Sequence, residues 1–278
     1  MQRVTLIFII LILLIAAPLQ AQSQNDTSSD GILITLNAGF DSIDNLNIEE
    51  TLRVLSGRIE AAGYTGYSIR ALDSGEFLID LPGVVPSDLN DAFLELLVQP
   101  GFVEFVDLSD IPSGNLMAMT DTAIITDAQL ARNPDIETTE TGFLTILTGD
   151  NLEMVEPQSE SGEGSFDTIL ALLSGEFTPD TTGQWFVLLE FDDAGATILE
   201  AYSSANIGTA MGIVIDGILL SAPTLQSTLS DSVIISGNFS ADEAIILAGQ
   251  LSTGALPVPL NVVRINTYTH YEVSTDTE

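Results

Sequence analysis

The spacing of apolar residues over the first hundred positions predicts a unit of six secondary-structure elements. Apolar positions at three- and four-residue intervals indicate one helix that Asn47 caps and Gly63 ends. A second helix begins at the capping residue Ser87 and closes at Pro100-Gly101. Strands are predicted at 31–36, 67–72, 76–81 and 102–106. The resulting βαββαβ order is that of a ferredoxin-like sandwich, in which two helices cover one face of a four-stranded sheet.

The second half of the chain carries another pattern of strands and helices. Strands are predicted at 143–147, 185–191, 212–215, 218–221, 233–236 and 257–265. Asp216-Gly217 joins two of these strands and favours a type I′ hairpin turn, because both central residues of that turn need a positive φ. Together the two halves predict the α+β fold class.

Two helices of the second half have recognisable ends. Asp192 or Asp193 begins a helix after the strand at 185–191, where an acidic residue also complements the positive end of the helix dipole. Ser240 and Glu243 have the spacing of a capping box, and Gly254 ends the helix that they begin. An acidic stretch rich in Ser and Gly, at 151–183, predicts a long surface loop.

The N-terminus has the order of a secretory signal peptide. A single basic residue, Arg3, precedes an apolar run at 4–17, and a small residue, Ala21, follows Pro18. The run is short for a membrane span, which needs about 20 apolar residues. We therefore expect cleavage after Ala21, with an uncleaved N-terminal anchor at 1–21 as the alternative. Both predict an extracytoplasmic protein that is periplasmic, cell-surface or secreted, with a polar linker at 22–30.

The composition excludes several classes of function. The chain has no cysteine and one histidine, so disulfides, thiolate catalysis and metal clusters of His and Cys are excluded. A net charge of −34 repels nucleic acid and anionic lipid. We interpret the acidic surface as one that keeps an external protein in solution, and the alternative is attraction of cations or basic peptides. No cofactor is predicted.

Four sites with catalytic or binding potential have simpler explanations. His270 lies in a polar tail, whereas catalysis by a Ser-His-Asp triad needs an oriented, buried histidine. Asp192-Asp193 offers oxygen ligands for a hard cation but is explained as a helix cap, and Asp216 is explained by its turn. Trp185 alternates with apolar neighbours, so core packing is preferred to ligand stacking. The chain is accordingly predicted not to be an enzyme.

Four segments carry a resemblance to a known family. They are LPGV at 81–84, LTGDNL at 147–152, NIGTAMGIVIDGILLSAP at 206–223 and SGNFSADEAIILAGQLSTGALPVPL at 236–260. In this order and spacing, over residues 31–265, the chain resembles the first large external domain of SecD, a subunit of the SecDF protein-export accessory complex. The family's later membrane helices and their intramembrane acidic residue have no counterpart in these 278 residues, so the resemblance implies at most the binding part of the function.

The resemblance implies two subdomains. The ferredoxin-like base subdomain would comprise 31–107, completed by 257–266. The α+β head subdomain would comprise 119–253, with an acidic insertion at 157–183, and a polar tail would follow at 267–278. In the family the head moves relative to the base and engages polypeptide that emerges from the translocation channel. Gly114, Gly254 and Pro257 match the hinge positions and suit a chain that turns between two rigid bodies.

Three hypotheses of function follow. The first is a non-enzymatic domain that binds exported or unfolded polypeptide and assists Sec-dependent translocation, with membrane subunits of the Sec translocon as candidate partners. Ile218, Leu219 and Leu220 are the candidate contact residues, at a groove or sheet edge that accepts an extended chain, although they are equally well explained as core. The second is a structural or interaction protein of the cell exterior. The third is a secreted hydrolase, which requires a buried acid pair about 5–10 Å apart.

Overall fold

The computed structural model of the protein describes residues 28–38, 45–72, 75–132, 142–159 and 184–271. These residues form eleven β-strands and six α-helices, which confirms the predicted α+β class. The predicted leader at 1–21, with its cleavage site after Ala21, lies outside them. Over the described ranges, no helix has both the length and the apolar character that crossing a bilayer demands.

The first sheet has the strand order of a ferredoxin-like fold. Its strands are β1 (Ser28–Asn37), β2 (Ser68–Ala71), β3 (Glu76–Pro82) and β11 (Asn261–Tyr271), in the antiparallel order β11-β1-β3-β2. Helices α1 (Asn45–Ala61) and α2 (Asp91–Val98) share a hydrophobic core with this sheet. Because alternate residues of a strand face opposite sides, Ile32, Ile34 and Leu36 all point into that core.

The fourth strand of the base differs from the prediction. The segment expected at 102–106 forms β4 (Val103–Asp107), which lies between β5 (Thr145–Thr148) and β8 (Met211–Ile215) in a different sheet. The place beside β1 is taken by β11. The physical reason is burial: residues 103–106 are all buried, and a strand with both faces buried needs cover on each side.

The ends of the described chain also correct two boundaries. Strand β1 begins at Ser28, so the last three residues of the predicted linker at 22–30 belong to the sheet. Strand β11 starts later than the predicted 257 and runs on to Tyr271, so the predicted tail at 267–278 begins within a strand. The remaining residues of the linker and the tail lie outside the described ranges.

Two further sheets make up the rest of the molecule. One has three strands in the order β10-β7-β6, where β6 is Leu152–Ser159, β7 is Trp185–Phe191 and β10 is Ser232–Phe239. The other has four strands in the order β5-β4-β8-β9, where β9 is Ile218–Ser221. The loop predicted at 151–183 is therefore wrong for 152–159, including the first residues of the supposed insertion at 157–183. Residues 160–183 lie outside the described ranges.

The remaining helices are α3 (Ser113–Met119), α4 (Asp127–Arg132), α5 (Asp193–Ala205) and α6 (Ala241–Thr253). The capping box is confirmed, since the Ser240 amide donates to Glu243 at 2.8 Å and the Glu243 amide donates to the Ser240 hydroxyl at 3.3 Å. The Asp192 carboxylate caps α5 as predicted. The prediction of Ser87 as a cap is wrong, because 86–88 form a short 3₁₀ turn and Asn90 caps α2 instead.

Helix α6 joins the halves of the molecule into one core. It contacts α1 and α2 on one side and strands β6 and β7 on the other. A surface helix has one polar face, whereas eight of the thirteen residues of α6 are buried. A single hydrophobic cluster therefore extends from Ile32 through Ile245 to Trp185, across the residues predicted as base and as head.

Candidate functional site

The β8–β9 hairpin carries the predicted polypeptide-contact residues. Its turn is of the predicted kind, with φ of 51° at Asp216 and 82° at Gly217. Ile218 is 41 % exposed, Leu220 is half-buried and Leu219 is fully buried. Leu219 is therefore a core residue and is wrong as a contact residue, whereas Ile218 and Leu220 remain accessible.

The outer edge of β9 is already paired with another part of the chain. The Leu219 amide donates to the Thr122 carbonyl at 3.0 Å, and the Asp121 amide donates to the Leu219 carbonyl at 2.8 Å. Ala123 forms an antiparallel bridge with Ile218. Because these backbone groups are satisfied, an extended polypeptide cannot add to this edge while residues 121–124 occupy it. A contact at the hairpin must use side chains instead.

Asp216 also forms hydrogen bonds with the segment at 101–102 that leads from the first sheet into β4. Its carboxylate accepts hydrogen bonds from the amides of Gly101 at 3.1 Å and Phe102 at 2.7 Å. In return the Asp216 amide donates to the Phe102 carbonyl at 2.9 Å. The turn assignment of Asp216 is thus confirmed, and its side chain additionally holds the segment that enters β4.

Arg58 is a buried cation at the point where both connections meet. It is 0 % exposed, and its guanidinium donates to the carbonyls of Leu96 at 2.7 Å, Gln99 at 2.5 Å and Pro100 at 3.0 Å. A longer bond of 3.3 Å reaches the carbonyl of Gly254, at the end of α6. One side chain of α1 therefore ties the end of α2, the connection into β4 and the connection after α6.

The charge of Arg58 is retained against a large desolvation cost. Burial lowers the pKa of Arg58 to about 10, and the nearby charge of Asp216 opposes that shift. The residue is still a cation at neutral pH, because this pKa lies well above 7. A lone arginine in the apolar stripe of α1, three positions after Leu55, was the sequence signal for this role.

Glu104 is a buried carboxylate on β4. The hydroxyls of Thr126 and Thr145 and the side-chain amide of Gln129 donate to it, the last two at 3.2 Å and 3.0 Å. Burial raises the pKa of Glu104, while these hydrogen bonds and the charge of Arg132 oppose the shift. The cluster thus holds α4 and β5 against the central strand of this sheet.

The described residues do not contain the acid pair that hydrolysis needs. Glu104 is the only carboxylate among their buried side chains. They also contain no group of three or more acidic, histidine or cysteine side chains able to hold a metal ion. The hydrolase hypothesis therefore has no supporting feature in the part of the chain that the structure describes.

A cavity of about 440 Å³ opens beside these connections. Gly254 and Pro257 line it on one side, and Arg53, paired with Glu50 at 2.6 Å, lines another. The guanidinium of Arg132 lies 3.8 Å from the centre of the Phe102 ring, a cation–π contact. Two predicted hinge residues thus lie at an open space between elements rather than in the packed core.

Comparison with known proteins matches this architecture to one family. The family model described as "SecDF, P1 head subdomain" matches residues 171–258. Protein translocase subunit SecD of Dictyoglomus turgidum is 28 % identical over 242 residues, which cover 85 % of this chain and 46 % of that protein. Protein translocase subunit SecDF of Thermus thermophilus is also 28 % identical, over 84 % of this chain and 30 % of that protein.

Solved structures of SecDF also resemble this chain. A crystal structure of SecDF in its super-membrane-facing form has a TM-score of 0.61 at 25 % identity, covering 86 % of this chain and 30 % of that chain. A second structure, of a SecDF described as enhancing protein export, has a TM-score of 0.57 at 25 % identity and covers 84 % and 99 % of the two chains. The predicted resemblance to SecD is confirmed. The chain spans about half the length of the first of these curated relatives.

The three predicted hinge residues lie in different kinds of structure. Gly254 follows α6 with a φ of 88°, a left-handed conformation that favours glycine, and Pro257 is half-buried in the segment that leads to β11. Gly114 lies inside helix α3 and is exposed. Hinge motion at these positions stays a prediction, and Gly114 is the least suited because helical hydrogen bonds restrain its backbone.

The remaining candidates of the SecD-like chain have structural roles. Trp185 is 1 % exposed and belongs to the core, as predicted. His270 lies in β11 opposite Ser29 rather than in a free tail. Sequence reasoning missed Arg58 and Glu104, which are the two charged side chains that the fold buries most completely among the described residues.

Proposed function

We propose that this chain acts as a SecD-like external domain, which binds exported or unfolded polypeptide outside the cell membrane and assists Sec-dependent translocation without catalysing a reaction. Membrane subunits of the Sec translocon are the proposed partners. The observation that carries the proposal is the extent of the likeness, since the TM-score is 0.61 over 86 % of the chain. The alternative of a cell-exterior structural protein has no feature of its own in support.

The arrangement of the sheets supports a division of the chain into a base and a head. We assign the first sheet with α1 and α2 to the base, and the other two sheets to the head. The connections between them run through Pro100 and Gly254, whose carbonyls both accept a hydrogen bond from the guanidinium of Arg58. A change in how the head sits on the base would have to rearrange these hydrogen bonds. Gly254 and Pro257 beside the open cavity are the proposed hinge, in keeping with an element-terminal position.

The proposed contact surface of the head includes Ile218 and Leu220. Exposed apolar side chains next to a rigid turn give an unfolded chain something to bury without ordering the protein first. The absence of native cysteine allows a single reporter thiol to be placed at will. A benzophenone maleimide attached at Ile218→Cys tests the proposal with an unfolded secretory precursor diluted from urea as the probe.

The matched control is Ile198→Cys on α5. Ile198 and Ile218 are both 41 % exposed, so a difference in crosslinking reports position rather than accessibility. We expect several-fold more crosslinked precursor at position 218 than at position 198. The same precursor folded before mixing serves as the second control and should not crosslink. Equal yields at the two positions, or none at either with the labelled protein folded, would contradict polypeptide binding at the hairpin.

A further inference from the structure

The three-stranded sheet has one face inside the core and one facing away from it. Trp185, Val187 and Leu189 of β7 are buried on the inner side, against α6. Alternation along the strands places the intervening residues on the opposite side. The pairing register brings nine residues together on what we call the outer face: Met154, Glu156 and Gln158 of β6, Phe186, Leu188 and Glu190 of β7, and Ser232, Ile234 and Ser236 of β10.

The centre of the outer face is apolar and accessible. Leu188 lies directly between Glu156 on one neighbouring strand and Ile234 on the other. Ile234 is 52 % exposed, and Phe186 and Leu188 are half-buried. Neighbouring apolar side chains that remain accessible on a protein surface often mark a site where a partner binds.

Two carboxylates flank this apolar centre. Glu156 and Glu190 are diagonal neighbours across β6 and β7, a relation that separates their Cα atoms by about 7–8 Å. Neither carboxylate forms a hydrogen bond or an ion pair with another described residue. The ion pair found among the described residues joins Arg53 to Glu50, elsewhere in the molecule. Strands β6, β7 and β10 contain no Lys or Arg. Two like charges therefore lie close together on a partly desolvated surface without a counter-ion of their own.

We propose that the outer face docks a polypeptide segment in which a basic side chain neighbours apolar ones. The apolar side chains would cover Phe186, Leu188 and Ile234, and the ammonium or guanidinium group would lie between Glu156 and Glu190. The net charge of −34 favours the same class of partner, because it attracts cationic segments and repels acidic ones. This inference rests on the proposed function and names the chemistry of the polypeptide that the head selects.

The test uses the full chain with a benzophenone maleimide at Ile234→Cys. Ile207→Cys is the matched control, since Ile207 is 55 % exposed and Ile234 is 52 % exposed. The probes are three synthetic peptides of equal length, built from Leu, Ser and Lys, from Leu, Ser and Glu, and from Ser and Lys alone. We expect the Leu-Ser-Lys peptide to crosslink several-fold more at position 234 than at 207, and the other two peptides to crosslink at neither.

The carboxylates are tested by the double substitution Glu156→Gln and Glu190→Gln. An exposed ion pair changes an affinity by about 1.4-fold to fivefold, so losing both should lower the affinity for the Leu-Ser-Lys peptide by about twofold to thirtyfold. The double substitution should also abolish the preference over the Leu-Ser-Glu peptide. Unchanged affinity, or equal crosslinking of the Lys and Glu peptides, would overturn the proposal.

The outcomes separate this inference from the proposed function. Crosslinks at Ile218→Cys but not at Ile234→Cys would refute the outer face and leave polypeptide binding intact. Crosslinks from position 234 that map to residues 160–183 of the same chain would show that the protein covers its own outer face, which also overturns the proposal. A covalent dimer formed through position 234 would overturn it as well, since the occupant would then be a second copy.

Discussion

Arg58 offers the sharpest test of how the two halves of the protein are held together. Substituting methionine keeps a long apolar stem in the core but removes the guanidinium that reaches Leu96, Gln99 and Pro100. The buried carbonyl of Leu96 and the partly buried contacts to Gln99 and Pro100 then lose a charged donor, and the methionine side chain offers no donor in its place. We expect Arg58→Met to destabilise the fold.

The magnitude follows from two opposing contributions. Hydrogen bonds to charged groups contribute about 1.5–3 kcal/mol each, so three short bonds amount to about 4–9 kcal/mol. Burial lowers the pKa of Arg58 to about 10 from 12.5, which corresponds to a cost of about 3 kcal/mol for keeping the cation. The difference leaves a net loss of about 1–6 kcal/mol on substitution, a range that includes the usual cost of breaking a buried network.

Urea denaturation followed by the fluorescence of Trp185 measures this loss. Trp185 is the single tryptophan of the chain and is 1 % exposed, so its emission reports the core. Arg70→Met is the matched control, because Arg70 lies exposed on β2 and its substitution should change stability by less than about 0.5 kcal/mol. A change below about 1 kcal/mol for Arg58→Met, with the control unchanged, would refute the assignment of Arg58 as the tie between the connections.

Three further predictions concern the head. Leu219→Ala should destabilise the protein by about 2–5 kcal/mol, because the side chain is fully buried, and an effect within about 0.5 kcal/mol in urea denaturation would contradict that burial. Folding raises the pKa of Glu104, so the folded state binds the proton of this carboxyl more tightly than the unfolded state does. The resulting contribution to stability is fully present below the unfolded pKa near 4.5, and it is lost as the pH rises through the folded pKa. The wild type should therefore gain stability relative to Glu104→Gln as pH falls from 7 towards 4.5, and parallel pH profiles of the denaturation midpoints would refute it. Asp216→Asn keeps a residue suited to positive φ but weakens the bonds to the Gly101 and Phe102 amides, so we expect a loss of about 1 kcal/mol and faster hydrogen exchange at those two amides.

Locally encoded features of this fold were predictable from the sequence. The turn at Asp216-Gly217 and the capping box of Ser240 and Glu243 were both correct, because each depends on the conformation of a few adjacent residues. The strand at 185–191 was correct to the residue, since a short apolar run between polar residues is typical of a strand.

Strand partners were harder to predict. Periodicity shows that residues 103–106 form a strand but does not show which sheet it joins, and neighbours in sequence are the natural first choice. The run of four buried residues in β4 was the available sign of a central position. The pairing of β1 with β11, more than two hundred residues away, has no local signal, and only the resemblance, which completes the base with 257–266, pointed to it.

Sequence reasoning missed the buried charged residues, and the reason is similar. Arg58 and Glu104 each look like one polar residue in an otherwise apolar stripe, and their partners come from distant parts of the chain. Carbonyl acceptors such as those of Leu96 and Gly254 carry no side-chain signature. For Leu219 the sequence left contact and core packing as equal alternatives, and its burial agrees with core packing. Nothing in its own hairpin reveals that residues 121–124 pair with its edge.

We propose that this chain is functionally equivalent to the external domain of SecD, and a chimaera tests this proposal most directly. Residues 28–271 would replace the matching region of Thermus thermophilus SecDF, and export of a secretory precursor into membrane vesicles would be measured against a version that lacks the region. The account predicts export clearly above that of the deleted version. Export no higher than the deletion, from a chimaera that is folded and present in the membrane at normal level, would contradict it.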